Sequence, residues 1–359
     1  MKPLLSVFIP AFIFLSGCRE PAIRDTPAAV IASGQMPALA DKNGKDLLMV
    51  FGSGDSIMFM HSSDNGLTFS IPLLADTLKN LVDYSMRGPQ ITATESGYSM
   101  IAADESGNIF SYVKVGQSEW KRTGRVNDAD TVAKEGFLGL GGGGGNNLFA
   151  VWLDLRGDKQ NKLYGARSTD GGKSWSQNML VYASPDGAVC DCCKPSVLLK
   201  NDTVFVMFRN NLNGNRDLYL TRSDDGGDHF KQAEKLGLGS WKLNACPMDG
   251  GGLAIDSKGR LQTVWNRKGY IFSAEPGKAE AQIGEGRSCT LESVNGKNVY
   301  AWVEKGQVVV LKPDGIKTTY GKGALPILKS VGDKEILCVW QLDKKIYCYT
   351  RIFFNVHVK

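Results

Sequence analysis

The chain has 359 residues, 22% charged and 42% hydrophobic, the balance of a globular protein with room for one large or two ordinary domains. A formal net charge of +5 with no Lys/Arg block gives no electrostatic case for nucleic acid, and three histidines (His61, His229, His357) argue against a His-based triad or a multi-His metal site. Its 42 glycines against 13 prolines suit many short strands joined by turns.

Residues 1–17 carry Lys2 and the apolar run Leu4–Leu15, broken by Pro10. The run is too short for an ordinary membrane helix and reads as the apolar region of a secretory signal. Leu15-Ser16-Gly17-Cys18 resembles the bacterial lipobox. That resemblance implies cleavage before Cys18, lipid on Cys18, and membrane contact through the anchor. Arg19, standing where Asp would imply inner-membrane retention, favours the outer membrane. Residues 18–35, with Pro21, Pro27 and Gly34, read as the lipidated Cys and a flexible tether. A chain exported this way folds in an oxidising compartment, where cysteines can pair.

From residue 36 to the end the sequence is repetitive. Ser-x-Asp-x-Gly-x-Ser/Thr-aromatic occurs with Asp64, Gly66 and Phe69, and again with Asp170, Gly172 and Trp175. Asp225, Gly227 and Phe230 form a third copy with His229 in the hydroxyl position. Asp accepts backbone N–H groups in a tight turn, Gly supplies positive φ, and the aromatic packs the turn onto its sheet. The Asp positions are separated by 106 and 55 residues, a period near 53 with a degenerate copy at Val115–Trp120. Period-2 strand pairs precede the turns, as in Leu148–Asp154 with Lys162–Ser168, and Val204–Arg209 with Asp217–Arg222. Before each pair lies another short apolar stretch, at residues 36–39, 88–91, 136–140, 194–198, 250–253, 287–291 and 325–328. Four short antiparallel strands every 40 to 55 residues predict an all-β chain folded as one β-propeller, seven blades by count, six as the alternative.

The Asp turns resemble the Asp boxes of the bacterial neuraminidase repeat, found in sialidase-like propellers, over roughly residues 36–352. The resemblance implies a central funnel that binds an anionic or glycan ligand, and an exo-sialidase-like glycoside hydrolase if catalysis is intact. Sialidases hold a substrate carboxylate with three arginines, and add a Tyr nucleophile assisted by Glu and an Asp acid/base. Met86-Arg87-Gly88-Pro89 matches the family's x-Arg-x-Pro motif, with Met in place of the usual aromatic. Arg209, Arg267 and Arg287 are candidates for the others. Tyr270 and Glu292 have the chemistry of the nucleophile and its assistant, but no motif pins them.

A more distinctive constellation is Cys190-Asp191-Cys192-Cys193-Lys194-Pro195 before the fourth inner strand, with Cys246-Pro247-Met248-Asp249-Gly250 before the fifth. Consecutive blades bring these segments together. Cys190, Cys192, Cys193 and Cys246 therefore suit disulfides, a Cu or Zn site, or a redox pair. Arg209, Arg216, Asp217, Trp241, Asp249 and Arg267 surround them in sequence, and Cys289 opens the next inner strand. The combined pattern over about 190–290 resembles a group of uncharacterised secreted sialidase-like proteins and implies a shared ligand site. Cys338 and Cys348 lie symmetrically about residue 343 in an expected hairpin and are expected to pair. Rival readings are a non-catalytic scaffold or assembly factor with a protein partner, and a periplasmic metal-binding protein. The glycine run at 141–145 is not a phosphate loop, because no Gly-Lys-Ser/Thr follows and a strand comes next.

Overall fold

The computed structural model describes residues 28–353 apart from 45, 144, 333 and 334. The expected signal and Cys18 lie outside the described residues. Seven four-stranded antiparallel sheets follow one another around an axis, so the fold is an all-β, seven-bladed propeller. The short late repeats that left six blades open are complete blades. Blades 1 to 6 span residues 35–77, 90–125, 138–182, 196–235, 251–285 and 287–322.

Blade 7 takes its three inner strands from 324–353 and its outer strand, Ala29–Ser33, from the start of the described chain. Residues 29–33 were expected in the tether; they are instead part of the propeller. Ala29 pairs with Cys348 and Ser33 with Lys345, so the strand closes the ring and covers an edge that would otherwise be open. The sequence signal was poor because Ala29-Val30-Ile31-Ala32-Ser33 is too short to show a period.

The second strand of each blade is its most buried. Leu148–Asp154 and Gly97–Ala103 are buried at every residue. Trp152, Trp265, Trp302 and Trp340 sit on such strands and are wholly buried. Truncating one to Ala would cost about 3–5 kcal/mol. Near the axis the chains approach closely. A Cβ on Gly252 would lie 3.0 Å from both Leu291 Cδ2 and Leu291 N, and one on Gly139 would lie 2.9 Å from Val197 Cγ1. Glycine in the inner strands is therefore what lets seven blades converge, which accounts for the glycine-rich stretch that begins at Gly139.

The three Asp turns share one hydrogen-bond network. Ser62 Oγ donates to Asp64 Oδ1 (2.8 Å) and accepts from Gly66 N (2.8 Å), while Thr68 N donates to Asp64 Oδ1 (2.9 Å). Ser168, Asp170, Gly172 and Ser174 repeat it, as do Ser223, Asp225, Gly227 and His229. Gly66, Gly172 and Gly227 all have positive φ, at 79°, 89° and 105°. Burial pulls the Asp170 carboxyl upward, but hydrogen bonds from Ser174 and Ser168 outweigh it and hold the group below the usual range. Each turn follows the third strand of its blade and so lies on the lower face, defined as the face where the inner strands end.

The expected Cys338–Cys348 bridge is not formed; both thiols are free and buried. The hairpin turns on two residues, Asp343 and Lys344, both with positive φ (50° and 57°). A two-residue turn pairs Val339 with Cys348 and Cys338 with Tyr349. The two sulfurs therefore occupy successive rungs and opposite faces, Cys338 in one core cluster and Cys348 in another. Symmetry about residue 343 would have required an odd-numbered loop.

Candidate functional site

Nearly all the predicted functional side chains lie on the upper face, where inner strands begin and second strands end. Glu292 is the exception. It is paired with Val299, two residues from the lower end of its strand, and burial raises its carboxyl, offset by Lys329 and Ser330. Tyr270 opens the third strand of blade 5 at the upper face and is 42% exposed. The two sit at opposite ends of adjacent blades, so no nucleophile–assistant pair is assembled.

The four candidate arginines do not converge either, and none lines the axial cavity. Arg87 donates from Nε to Glu135 O (2.5 Å), lies 3.6 Å from Glu135 Oε2, and stacks 3.9 Å over Phe137. Arg267 grips both oxygens of Glu280 and stacks over Phe272. Arg209 is 2% exposed; it donates to Asp249 O (3.4 Å), Arg216 O (2.6 Å) and Asn266 O (3.0 Å). Arg287 is exposed at the edge of blade 6. A carboxylate clamp needs free guanidinium edges, and three of these four are already engaged inside the protein.

Asp217 and Trp241 are also structural partners. Asp217 Oδ1 accepts Trp241 N–H (2.8 Å), Trp241 O accepts Arg216 N–H (2.8 Å), and Arg209 lies 5.5 Å from the Trp241 ring. Arg216 Nη1 lies 3.8 Å from Asp191 Oδ1. Together they fix the irregular 240–250 segment against the strand that ends at Arg209.

That segment delivers Cys246, which is joined to Cys192 by a disulfide. Cys190 and Cys193 remain thiols and are buried. Cys190 Sγ lies 3.6 Å from Cys192 Sγ and 3.5 Å from Cys193 Sγ, and all three sulfurs lie within 4.8 Å of one another. Contact with Cys193 lowers the Cys190 thiol to about 6 against the opposing effect of burial, helped by Arg216 and Arg209. Burial pushes Cys193 and Cys289 up. Cys190 and Cys193 form a Cys-x-x-Cys pair, a spacing masked in the sequence by Cys192 between them.

Inside the ring the inner strands enclose an axial cavity of about 320 Å³. Its polar lining includes Lys194, Gln90, Asp249, Ser288 and Gln341. Lys194 Nζ, on blade 4, reaches Gln90 Oε1 on blade 2 at 2.6 Å. Gln90 is held for this by donating Nε2 to Gly88 O and Pro89 O. Burial alone lowers the Lys194 ammonium to about 8, and no carboxylate among the described residues pairs with it. Asp249, just before the inner strand of the neighbouring blade 5, is 1% exposed; Oδ2 accepts Ser288 N–H (3.0 Å) and Oδ1 is buried without a partner. Burial raises Asp249 to about 6 despite Arg209. Lys194 and Gln90 were missed in the sequence. The available signal was a lysine placed next to Pro at the start of an inner strand, where side chains face the axis.

A larger groove of about 740 Å³, lined in part by Phe59 and Trp120, lies between blades 1 and 2. Its His61 is paired with Asp46, and its Asp76 with Arg122.

No protein-family model matches the sequence, and no curated protein matches it. Solved structures do match. Virginiamycin B lyase from Staphylococcus aureus is 13% identical, with a TM-score of 0.54 over 91% of this chain and 98% of that one. A polysaccharide lyase described as an ulvan lyase is 11% identical, with a TM-score of 0.54 over 91% and 96%. NanB sialidase from Streptococcus pneumoniae is 13% identical, with a TM-score of 0.47 over 91% and 70%. What the two lyases share with the chain is the propeller. Their chemistries differ, and at such identities the likeness extends to the fold alone.

Proposed function

We propose that this protein is an envelope lipoprotein whose propeller binds a small acidic sugar, or the acidic end unit of a glycan, in the axial cavity without sialidase-type hydrolysis. One observation carries the reading: Lys194 presents an ammonium to a ligand-sized cavity with no carboxylate to neutralise it. A desolvated cation held this way favours an anion. A ligand carboxylate meets Lys194, ligand hydroxyls meet polar side chains such as Gln341 and Ser288 that also line the cavity, and a monosaccharide acid suits the volume. The engaged arginines and the separated Tyr270 and Glu292 leave no machinery for hydrolysis of a sialoside. The anchor rests on the lipobox at Cys18.

Isothermal titration with D-glucuronate, N-acetylneuraminate and neutral glucose tests the site. Both acids bind the wild type, glucose binds at least about tenfold more weakly, and Lys194→Met loses acid binding. Absence of binding by either acid, or equal affinity in Lys194→Met, overturns the reading. No turnover of a fluorogenic sialoside is expected. Metabolic labelling with radioactive palmitate, lost in Cys18→Ser, checks the anchor.

A further inference from the structure

The cysteine centre stands apart from the axial ligand and has its own chemistry. Three of its sulfurs are buried and mutually close, while the fourth, Cys246, belongs to an exposed residue on an irregular segment. The disulfide is therefore the joint between a buried dithiol and the surface. Cys190 lies beside Cys192 and Cys193 at nearly equal distances, 3.6 Å and 3.5 Å. A sulfur so placed can attack one neighbour and be attacked by the other.

We propose that Cys190, Cys192, Cys193 and Cys246 form a thiol–disulfide exchange relay that moves the disulfide between the surface link Cys192–Cys246 and the buried pair Cys190–Cys193. In the first step the Cys190 thiolate attacks Cys192 Sγ. The 190–192 bond forms, the 192–246 bond breaks, and the electron pair leaves on Cys246 Sγ, which takes a proton from water. In the second step Cys193 gives up its proton and attacks Cys190 Sγ. The 190–193 bond forms, and Cys192 leaves as a thiolate and is protonated. One disulfide and two thiols stand on each side, so no oxidant or reductant is consumed. The outcome is an exposed Cys246 thiol able to exchange with a disulfide of another molecule, and a 240–250 segment released from its covalent link to blade 4. The basic environment that Arg209 and Arg216 give Cys190 supports its role as attacking group. The relay does not depend on ligand binding at the axis.

The test is disulfide mapping of unreduced wild-type protein held with N-ethylmaleimide at neutral pH, with aliquots quenched in acid. Both linkages, 192–246 and 190–193, are expected, and maleimide accumulates on Cys246 and Cys192 as trapping drains the exchange. Cys190→Ser keeps 192–246 and labels Cys246 about tenfold or more slowly. Should that variant fail to fold, the wild-type time course decides alone. Only the 192–246 linkage, with Cys246 unlabelled throughout, overturns the relay. So does one copper or zinc per chain in native protein with all four cysteines protected, which would assign the centre to a metal.

Discussion

Replacing Lys194 by Met should make the protein more stable at neutral pH while abolishing acid binding. Burial lowers the ammonium from its usual 10.5 to about 8. That drop corresponds to a penalty of at most about 3 kcal/mol on the charged folded state. Lys194 is partly accessible through the cavity, and screening by water there trims the figure to about 2 kcal/mol. Met also forfeits the hydrogen bond to Gln90, worth about 1 kcal/mol, although Gln90 Oε1 then faces a cavity wide enough for water. The balance favours Met by about 1 kcal/mol at pH 7. Because the folded value lies below the unfolded one, the unfolded chain binds more protons between about pH 8 and 10.5. Wild-type stability therefore gains over Lys194→Met as pH rises through that window, and the order reverses near its top. Denaturant unfolding of both proteins at pH 7 and pH 9.5 reads the difference directly. A variant less stable at pH 7, or a gap that does not move with pH, refutes the idea of a desolvated, unpaired ammonium.

Other perturbations separate architecture from site. Asp170→Ala removes the acceptor of Ser168, Lys173 and Ser174 and should cost about 1–3 kcal/mol with unchanged sugar-acid affinity, since the turn lies on the opposite face. Asp170 is held below the usual carboxylate range, so its contribution is present above the unfolded value and lost as pH falls through the lower folded one. The variant's deficit should therefore shrink in acid melts. Arg209→Met removes the donor to the buried carbonyls of Asp249 and Asn266 and the part-buried carbonyl of Arg216 and should destabilise by about 3–5 kcal/mol, seen as a lower denaturation midpoint. Thiol titration of denatured, unreduced protein starting at residue 28 should find five thiols, from Cys190, Cys193, Cys289, Cys338 and Cys348. A count of three, with Cys338 and Cys348 recovered as one linked peptide pair, would restore the Cys338–Cys348 bridge.

Architecture was legible because its determinants are local. The Ser62, Ser168 and Ser223 turns each carry their whole hydrogen-bond network within a few residues, and their spacing gave the blades. The meeting of Cys246 with the 190–193 cysteines followed from the same reasoning, since equivalent positions on consecutive blades must be neighbours, while the choice of Cys192 as its partner did not. What failed depended on non-local partners. Arg87 opens an inner strand as the sialidase motif requires, yet the backbone and side chain of Glu135, 48 residues away, claim its guanidinium. Arg267 is claimed by Glu280 in the same way. Lys194 became visible only once Gln90, on another blade, was placed opposite it. Cys338 and Cys348 failed for a subtler reason: one residue of turn length sets the rung, and the rung sets the face.

The division of labour between the two faces follows from the same distinction. Lower-face Asp turns are self-contained, so a blade can form them wherever it sits in the ring. The upper-face segments that frame the site, before the inner strands of blades 4 and 5, instead take their shape from neighbours on adjacent blades. Asp249 shows how far this goes. Its carbonyl accepts from Arg209 of blade 4, its Oδ2 accepts from Ser288 of blade 6, and its Oδ1 is buried without a partner. Lys194 directly follows Cys193 in the chain, and its carbonyl lies 2.9 Å from where a Cβ on Gly250 would stand. The backbone that positions the ammonium is therefore the backbone that positions the dithiol. A site assembled from three blades in this way needs the ring closed before any of its groups is in place, which is what Ala29–Ser33 accomplishes on the outer edge of blade 7.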